Sequence, residues 1–184
     1  MVKMQRGILL FLLVAVFMCF GVAASAHKDN SQAGKNLIES LSADPNASTF
    51  VSALKAAGLE STLEQAGPFT VFAPSNEAFR EQPKGMMEKL MKPENQDQLR
   101  KLISYHIIAG KLSTDDLKKK IEDGQGHAEL TTLQGGKLQI STHMGMHILL
   151  KSEDGDMGMS SSPDVNASNG VIHVIDNVMS PKGQ

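Results

Sequence analysis

After residue 35, the first half of the remaining chain carries apolar residues at the spacing of amphipathic helices. The two clearest stripes are Leu37, Ile38 and Leu41, followed by Phe50, Val51, Leu54 and Ala57. A 3.6-residue period of this kind predicts helices, and Gly58 is placed to end the second one. Ser48 or Thr49 is predicted to cap its start. Further helices are predicted over residues 59–66, 84–91, 93–103 and 117–121.

From Ala128 onward the apolar period changes to two, which is typical of half-buried β-strands. Glycine-containing turns separate these runs at 134–136, 144–145 and 154–155. An earlier strand is predicted over 69–73 and must join the later ones. The pattern therefore predicts an α+β fold, with a helix-rich N-terminal half and a strand-rich C-terminal half.

The stretch GPFTVFAPSNEAF, residues 67–79, reads as a strand, a turn and the opening of a helix. A serine nucleophile on such a corner needs small, flexible neighbours, usually glycines, so that its hydroxyl stands clear. Here Pro74 and Asn76 flank Ser75 instead. Pro74 ends the strand and Ser75 or Asn76 can cap the helix, so the corner is predicted to be structural.

The closing stretch NASNGVIHVIDNVMSP predicts a buried strand over 171–174. Asn169 and Gly170 are predicted to form a tight turn with positive φ before it. His173 lies among aliphatic residues, so a hydrogen-bonded core histidine is favoured over a catalytic base. Asp176 is placed to hold the end of the strand.

The N-terminus has the features of an export signal. Lys3 and Arg6 precede an uncharged apolar run that is short for a membrane span and closes in the small residues of 24–26. We therefore predict a signal peptide over 1–26, a flexible tail over 27–35 and one domain over 36–184. The alternative of a lipid anchor would use Cys19. The predicted location is secreted, periplasmic or extracellular.

Composition narrows the class of partner. Removing Lys3 and Arg6 from the 18 basic residues leaves 16 against 20 acidic ones, a net charge of −4. This balance, without a basic cluster, argues against nucleic acid as a partner. The single cysteine lies in the predicted signal, so no disulfide is expected after cleavage. No later apolar run is long enough to span a bilayer.

Three segments in order resemble the signatures of the fasciclin domain family: residues 56–79, residues 99–112 and residues 166–181. The resemblance implies a β-sandwich-like wedge with helices packed on it, exported, non-enzymatic and active in adhesion. It implies that the partner is a protein or a matrix or surface component, which includes a second copy of the chain. The motif residues with predicted structural roles are Phe69, Thr70, Val71, Phe72, Ala73, Pro74, Asn76, Phe79, Asn169, Gly170, His173 and Asp176.

Tyr105 and His106 match the Tyr-His motif of the family, which in animal members is linked to receptor binding. The residues themselves allow a structural interpretation, in which Tyr105 fills the core and His106 bonds a backbone group. Adjacent residues of an extended segment point to opposite faces, so one of the two is expected to lie outside or in another pocket.

A segment rich in methionine and histidine supports a second hypothesis. Thioether and imidazole donors suit Cu(I), and an exported chain can meet copper. No other cofactor is predicted. Methionine also serves as a flexible filler and contact residue, which is the alternative explanation. The candidate ligands are His143, Met144, Met146, His147, Met157 and Met159.

Overall fold

The computed structural model describes residues 34–65, 67–160 and 162–183. The predicted signal peptide over 1–26, with Cys19, and most of the predicted tail over 27–35 lie outside these residues. Both stay predictions. None of the described helices combines the length and apolar character that crossing a bilayer requires.

Helices dominate the first half of the described chain, as the 3.6-residue stripes predict. Two short 3₁₀ turns, Pro45–Ala47 and Pro93–Asn95, lead into longer helices. The α-helices are α1 (Leu37–Ala43), α2 (Ser48–Ala56), α3 (Glu60–Gln65), α4 (Asn76–Arg80), α5 (Met86–Leu90), α6 (Gln96–Tyr105) and α7 (Thr114–Asp123).

Strands dominate the second half, and the early strand joins them in one sheet, so the predicted α+β class is confirmed. The strands are β1 (Phe69–Pro74), β2 (Ile107–Ala109), β3 (His127–Thr131), β4 (Lys137–His143), β5 (His147–Lys151), β6 (Met157–Ser160), β7 (Val165–Ala167) and β8 (Gly170–Ile175).

The strand order in the sheet is β2-β1-β8-β6-β5-β4-β3. The short strand β7 stands outside this order and pairs with β8. β1 and β8 are parallel, with Phe69 opposite Gly170 and Pro74 opposite Ile175. A single bridge between Ile108 and Thr132 links β2 to the region after β3. The sheet therefore curls until its two ends meet, which gives the predicted wedge the form of a nearly closed barrel.

Two hydrophobic cores lie on the two faces of β1. Its side chains alternate, so Phe69, Val71 and Ala73 pack among the helices, whereas Phe72 faces the inside of the curled sheet. All six residues of β1 are buried. Burial on both faces explains why apolar residues do not alternate with polar ones along the strand. Its one polar side chain, Thr70, is also buried and donates to the Gly110 carbonyl.

Two predicted local features are wrong. Ser48 is the first residue of α2 and Thr49 the second, so neither caps the helix, and the preceding Ala47 offers no capping side chain. Gly170 does not stand at positive φ, since it is absent from the residues with that conformation. It is required for another reason: a Cβ there would lie 2.1 Å from the Phe69 carbonyl oxygen.

Replacing Gly170 with alanine tests this close approach. The added methyl group would push apart the backbones of β1 and β8, and we expect the free energy of unfolding to fall by at least about 2 kcal/mol. Urea denaturation monitored by circular dichroism measures the change.

Gly135→Ala is the matched control. Gly135 has φ +97° and open space around its Cβ position, so we expect a loss of about 1 kcal/mol from backbone strain alone. Equal losses for the two variants would contradict the proposed role of Gly170.

Candidate functional site

The corner between β1 and α4 is built by hydrogen bonds that cap helices. The Ser75 hydroxyl accepts a hydrogen bond from the Ala78 backbone N–H at 3.2 Å, which makes Ser75 the N-cap of α4. The predicted cap is therefore confirmed. The hydroxyl is committed to the helix end, where a nucleophile would need to be free and paired with a base.

Asn76 joins this corner to α2. Its Oδ1 accepts from the Thr49 backbone N–H at 2.9 Å, and its Nδ2 donates to the Pro45 carbonyl at 2.8 Å. It also exchanges hydrogen bonds with the Ser48 hydroxyl. Asn76 thus caps α2 from a distant part of the chain, which is why no capping side chain is needed at Ala47.

His106 is buried among backbone groups. Its Nδ1 donates to the Leu102 carbonyl at 2.9 Å, and its Nε2 accepts from the Met179 N–H at 3.0 Å. The ring also meets Phe50 edge-on. One donor and one acceptor fit a neutral imidazole. Burial, which disfavours the charged ring, lowers the pKa of His106 to about 4.

Tyr105 is completely buried in the core inside the sheet. Its hydroxyl donates to the Lys137 carbonyl and accepts from the Glu153 backbone N–H at 3.1 Å. Burial raises the pKa of this hydroxyl. The side chain ties the end of α6 to the start of β4 and to the turn after β5.

Both side chains are at most 1% exposed, so of the two alternatives, exposure of one residue is wrong. The structural interpretation, with Tyr105 in the core and His106 bonded to backbone groups, agrees with the structure. Tyr105 ends α6 and His106 is its C-cap, so the pair is not extended and its side chains enter two different cores. The link between this pair and binding stays a prediction. In this conformation neither side chain reaches the surface.

Each of the two ring nitrogens of His173, a residue of β8, lies close to an oxygen atom. Nε2 donates to the Leu112 carbonyl at 2.8 Å. The Nδ1 atom lies 3.1 Å from Asp164 Oδ1, which is within ion-pair distance, but the two groups are not aligned as in a well-formed hydrogen bond. Carbonyl and carboxylate oxygens only accept hydrogen bonds, so the ring faces an acceptor at each nitrogen. The ring is fully buried and stacks on Phe72.

Asp164 completes this cluster from the loop before β7. It accepts from the backbone N–H of Thr114 at 2.7 Å and from the Thr114 hydroxyl. Burial raises the pKa of the Asp164 carboxyl, but contact with His173 and the Thr114 hydrogen bonds outweigh burial and lower the pKa to about 2. The cluster fastens the start of α7 to β8.

Asp164 was missed in the sequence analysis. The capping pattern of Ser113 and Asp116 marks the start of α7 and is present as predicted. Nothing adjacent to Asp164 in sequence indicates that it contacts Thr114 and His173, because Thr114 lies 50 residues away and the fold alone brings them together.

Two further motif residues hold chain segments together. Asn169 accepts from the Leu37 N–H at 2.8 Å and donates to the Leu63 carbonyl at 2.6 Å, so it connects α1 and α3 to the start of β8. Asp176 accepts from the Met159 N–H at 2.6 Å and thereby holds the end of β6 beside β8.

The six candidate copper ligands fall into two groups. Met144 and Met146 lie in the turn between β4 and β5 and are 80% and 63% exposed. The other four lie on strands, at positions that alternate with the buried residues Ile148, Leu150 and Ser160. These four, which share the outer face of the sheet, are His143, His147, Met157 and Met159.

The burial of His106 predicts a specific loss of stability in mild acid. The unfolded histidine takes up a proton below pH 6.5 and the folded one only near pH 4. Its contribution is therefore complete above pH 6.5 and is lost as the pH falls toward 4. Between pH 7.5 and 5 we expect a loss of about 2 kcal/mol.

Comparing wild type with His106→Gln isolates this contribution, since other groups titrate in both proteins. The variant should be less stable at pH 7.5, and its free energy of unfolding should change less as the pH falls. Parallel pH profiles, measured by urea denaturation at each pH, would rule out His106 as the source.

The role of Asn76 predicts that Asn76→Ala destabilises more than Ser75→Ala. The first change leaves the Thr49 N–H and the Pro45 carbonyl without their partner, whereas the second removes one helix cap. We expect losses of about 2 and about 1 kcal/mol respectively. Thermal and urea unfolding measure both, and the reverse order would contradict the assignment.

Comparison with known proteins agrees with this architecture. The family model described as the fasciclin domain matches residues 45–181. Protein sll1483 of Synechocystis sp. is 37% identical over 149 residues, which cover 79% of this chain and 73% of that protein. Human periostin is 34% identical over 151 residues, which cover 81% of this chain but 16% of periostin.

A solved structure shows the same fold. It is a FAS1 domain pair from the insect cell adhesion molecule Fasciclin I, and the likeness has a TM-score of 0.70 at 19% identity. The match covers 80% of this chain and 51% of that one. With its three signature segments, its curled sheet and the match over residues 45–181, the chain belongs to the fasciclin domain family.

Proposed function

We propose that the chain is an exported, non-catalytic interaction module that binds a protein or a matrix or surface component. The observation that carries the proposal is the use of the polar signature residues. Ser75, Asn76, His106, Asn169 and His173 all hydrogen-bond to backbone groups of the fold itself. Because these side chains are hydrogen-bonded within the fold, they stabilise the domain and are not free to contact a partner. We therefore expect the partner to bind the outer surface of the domain.

Membership of the fasciclin family supports the same proposal. The solved neighbour comes from a protein named as a cell adhesion molecule, and it contains a pair of such domains. Export rests on the signal-like segment over 1–26, with its two basic residues, its apolar run and its small residues at 24–26. Together these favour a contact role outside the cytoplasm.

The turn between β4 and β5 is the surface best suited to such a contact. Met144 and Met146 are the two most exposed large apolar side chains of the described residues. Methionine is flexible and polarisable, and it adapts to partners of varied shape. We name this turn, residues 144–146, the hairpin tip.

A single domain of this composition is expected to bind weakly. The sequence has one tyrosine and no tryptophan, and these are the residues that contribute most at strong interfaces. Weak sites gain from display in several copies, because each further contact forms at high local concentration. The proposal therefore includes clustering on a surface or self-association.

Binding to the surface fraction of the native organism tests the proposal. Monomer and a tetramer displayed on streptavidin are compared by biolayer interferometry, and sedimentation velocity measures self-association. We expect the tetramer to bind roughly a hundredfold or more tightly than the monomer. Tight binding by the monomer, or no binding by either form, would contradict the proposal.

Substitution at the hairpin tip tests where contact occurs. Met144→Ser with Met146→Ser should weaken tetramer binding, since it removes the exposed apolar surface. Met91→Ser is the matched control, because Met91 is an exposed methionine that follows α5. Equal effects from the control and the double variant would show that the tip is not the contact.

A further inference from the structure

The outer face of β4, β5 and β6 gathers metal-binding side chains that no part of the fold uses. Of the described histidines, His106 and His173 are buried in hydrogen bonds. His143 is exposed and His147 is half-buried, and they face each other across β4 and β5. Met159 of β6 lies diagonal to His147, and Met157, which pairs with Lys151, lines one hollow with His143 and Met159. We propose that these four side chains form a copper-binding site.

The two histidines provide the anchor. His143 of β4 is directly opposite His147 of β5 in the antiparallel register, and both point away from the core. Side chains at such positions have Cβ atoms about 5 Å apart. Two imidazole rings at this separation can bind one metal ion from the same side of the sheet. Imidazole suits copper and zinc alike.

The methionines add donors that discriminate between these metals. Met159 of β6 pairs with Leu149 of β5, which lies two residues from His147 on the same face. His147 and Met159 are therefore diagonal neighbours, with Cα atoms about 7–8 Å apart, within the combined reach of their long side chains. His143, Leu149, Met157, Met159 and Asp176 line one shallow hollow.

The donor set favours Cu(I). Thioether sulfur is a soft donor that binds Cu(I) in preference to Zn(II), while imidazole binds both. The carboxylate of Asp176 already accepts the Met159 N–H, so it fixes β6 beside the hollow. Met144 and Met146 belong to the hairpin tip and not to this face, so they are excluded from the site.

Competition for Cu(I) tests the site in the whole protein, with bicinchoninate as the competing chelator. We expect His143→Gln with His147→Gln, and separately Met157→Leu with Met159→Leu, to weaken Cu(I) binding by roughly tenfold or more. All four side chains lie on the surface or at its edge, so the variants should fold, and circular dichroism checks this.

Two matched controls fix the location. Met144→Leu with Met146→Leu removes as many thioethers from the hairpin tip, and His127→Gln removes an exposed histidine of β3. Neither should change Cu(I) affinity. A loss at either control as large as at the site variants would overturn the proposed ligand set. Unchanged affinity in the Met157 and Met159 variant would overturn it too.

A second readout separates copper selectivity from simple histidine binding. Titration with Zn(II) should respond to the histidine substitutions and not to the methionine ones. Methyl resonances of Met157 and Met159 should shift on addition of Cu(I), while those of Met144 and Met146 stay in place. Shifts confined to the hairpin tip, or no shifts, would contradict the site.

Discussion

The parallel pairing of β1 with β8 is the interaction on which the rest of the structure depends. Both strands occupy interior positions of the sheet and carry buried apolar residues on both faces, so each contributes to two cores at once. Parallel strands need a long connection, and here that connection includes six further strands and several helices. The pairing also brings Asn169 to α1 and His173 to Leu112. Gly170 allows it, because any side chain would meet the Phe69 carbonyl.

The two buried histidines show how this arrangement sets the chemistry of its side chains. His106 faces one acceptor and one donor and is held neutral, whereas His173 faces two acceptors beside Asp164. Acid therefore acts on the two clusters at different pH values. His106 loses its contribution below pH 6.5, while Asp164, with its lowered pKa, loses its contribution only as the pH falls from 3.8 toward 2. The two buried histidines thus differ in their hydrogen-bonding roles because their partners differ.

Local patterns predicted local structure well. The apolar stripes predicted the helices, the period of two predicted the strands, and the capping residues Ser75 and Ser113 lie where the sequence indicates. Two of the errors concern contacts between distant segments. Asn76 caps α2 from another helix, and Gly170 is required by a neighbouring strand and not by its own turn. The extended conformation predicted for Tyr105 and His106 is a local error, since a helix ends there and both side chains are buried. For Asn76 and Gly170, no short window of sequence contains the partner.

The methionine-rich segment shows what strand pairing adds to composition. Six candidate ligands within residues 143–159 separate into a solvent-exposed tip and a face of the sheet. The tip is joined to the face by His143 and His147, the two residues that flank it. A metal held between these histidines would fix the strand ends and restrict the turn. Ordering a flexible loop on binding opposes association, so a turn that is already restricted would bind a partner more tightly. The two proposals are therefore physically linked, and copper would be expected to strengthen contact through the hairpin tip without touching the partner.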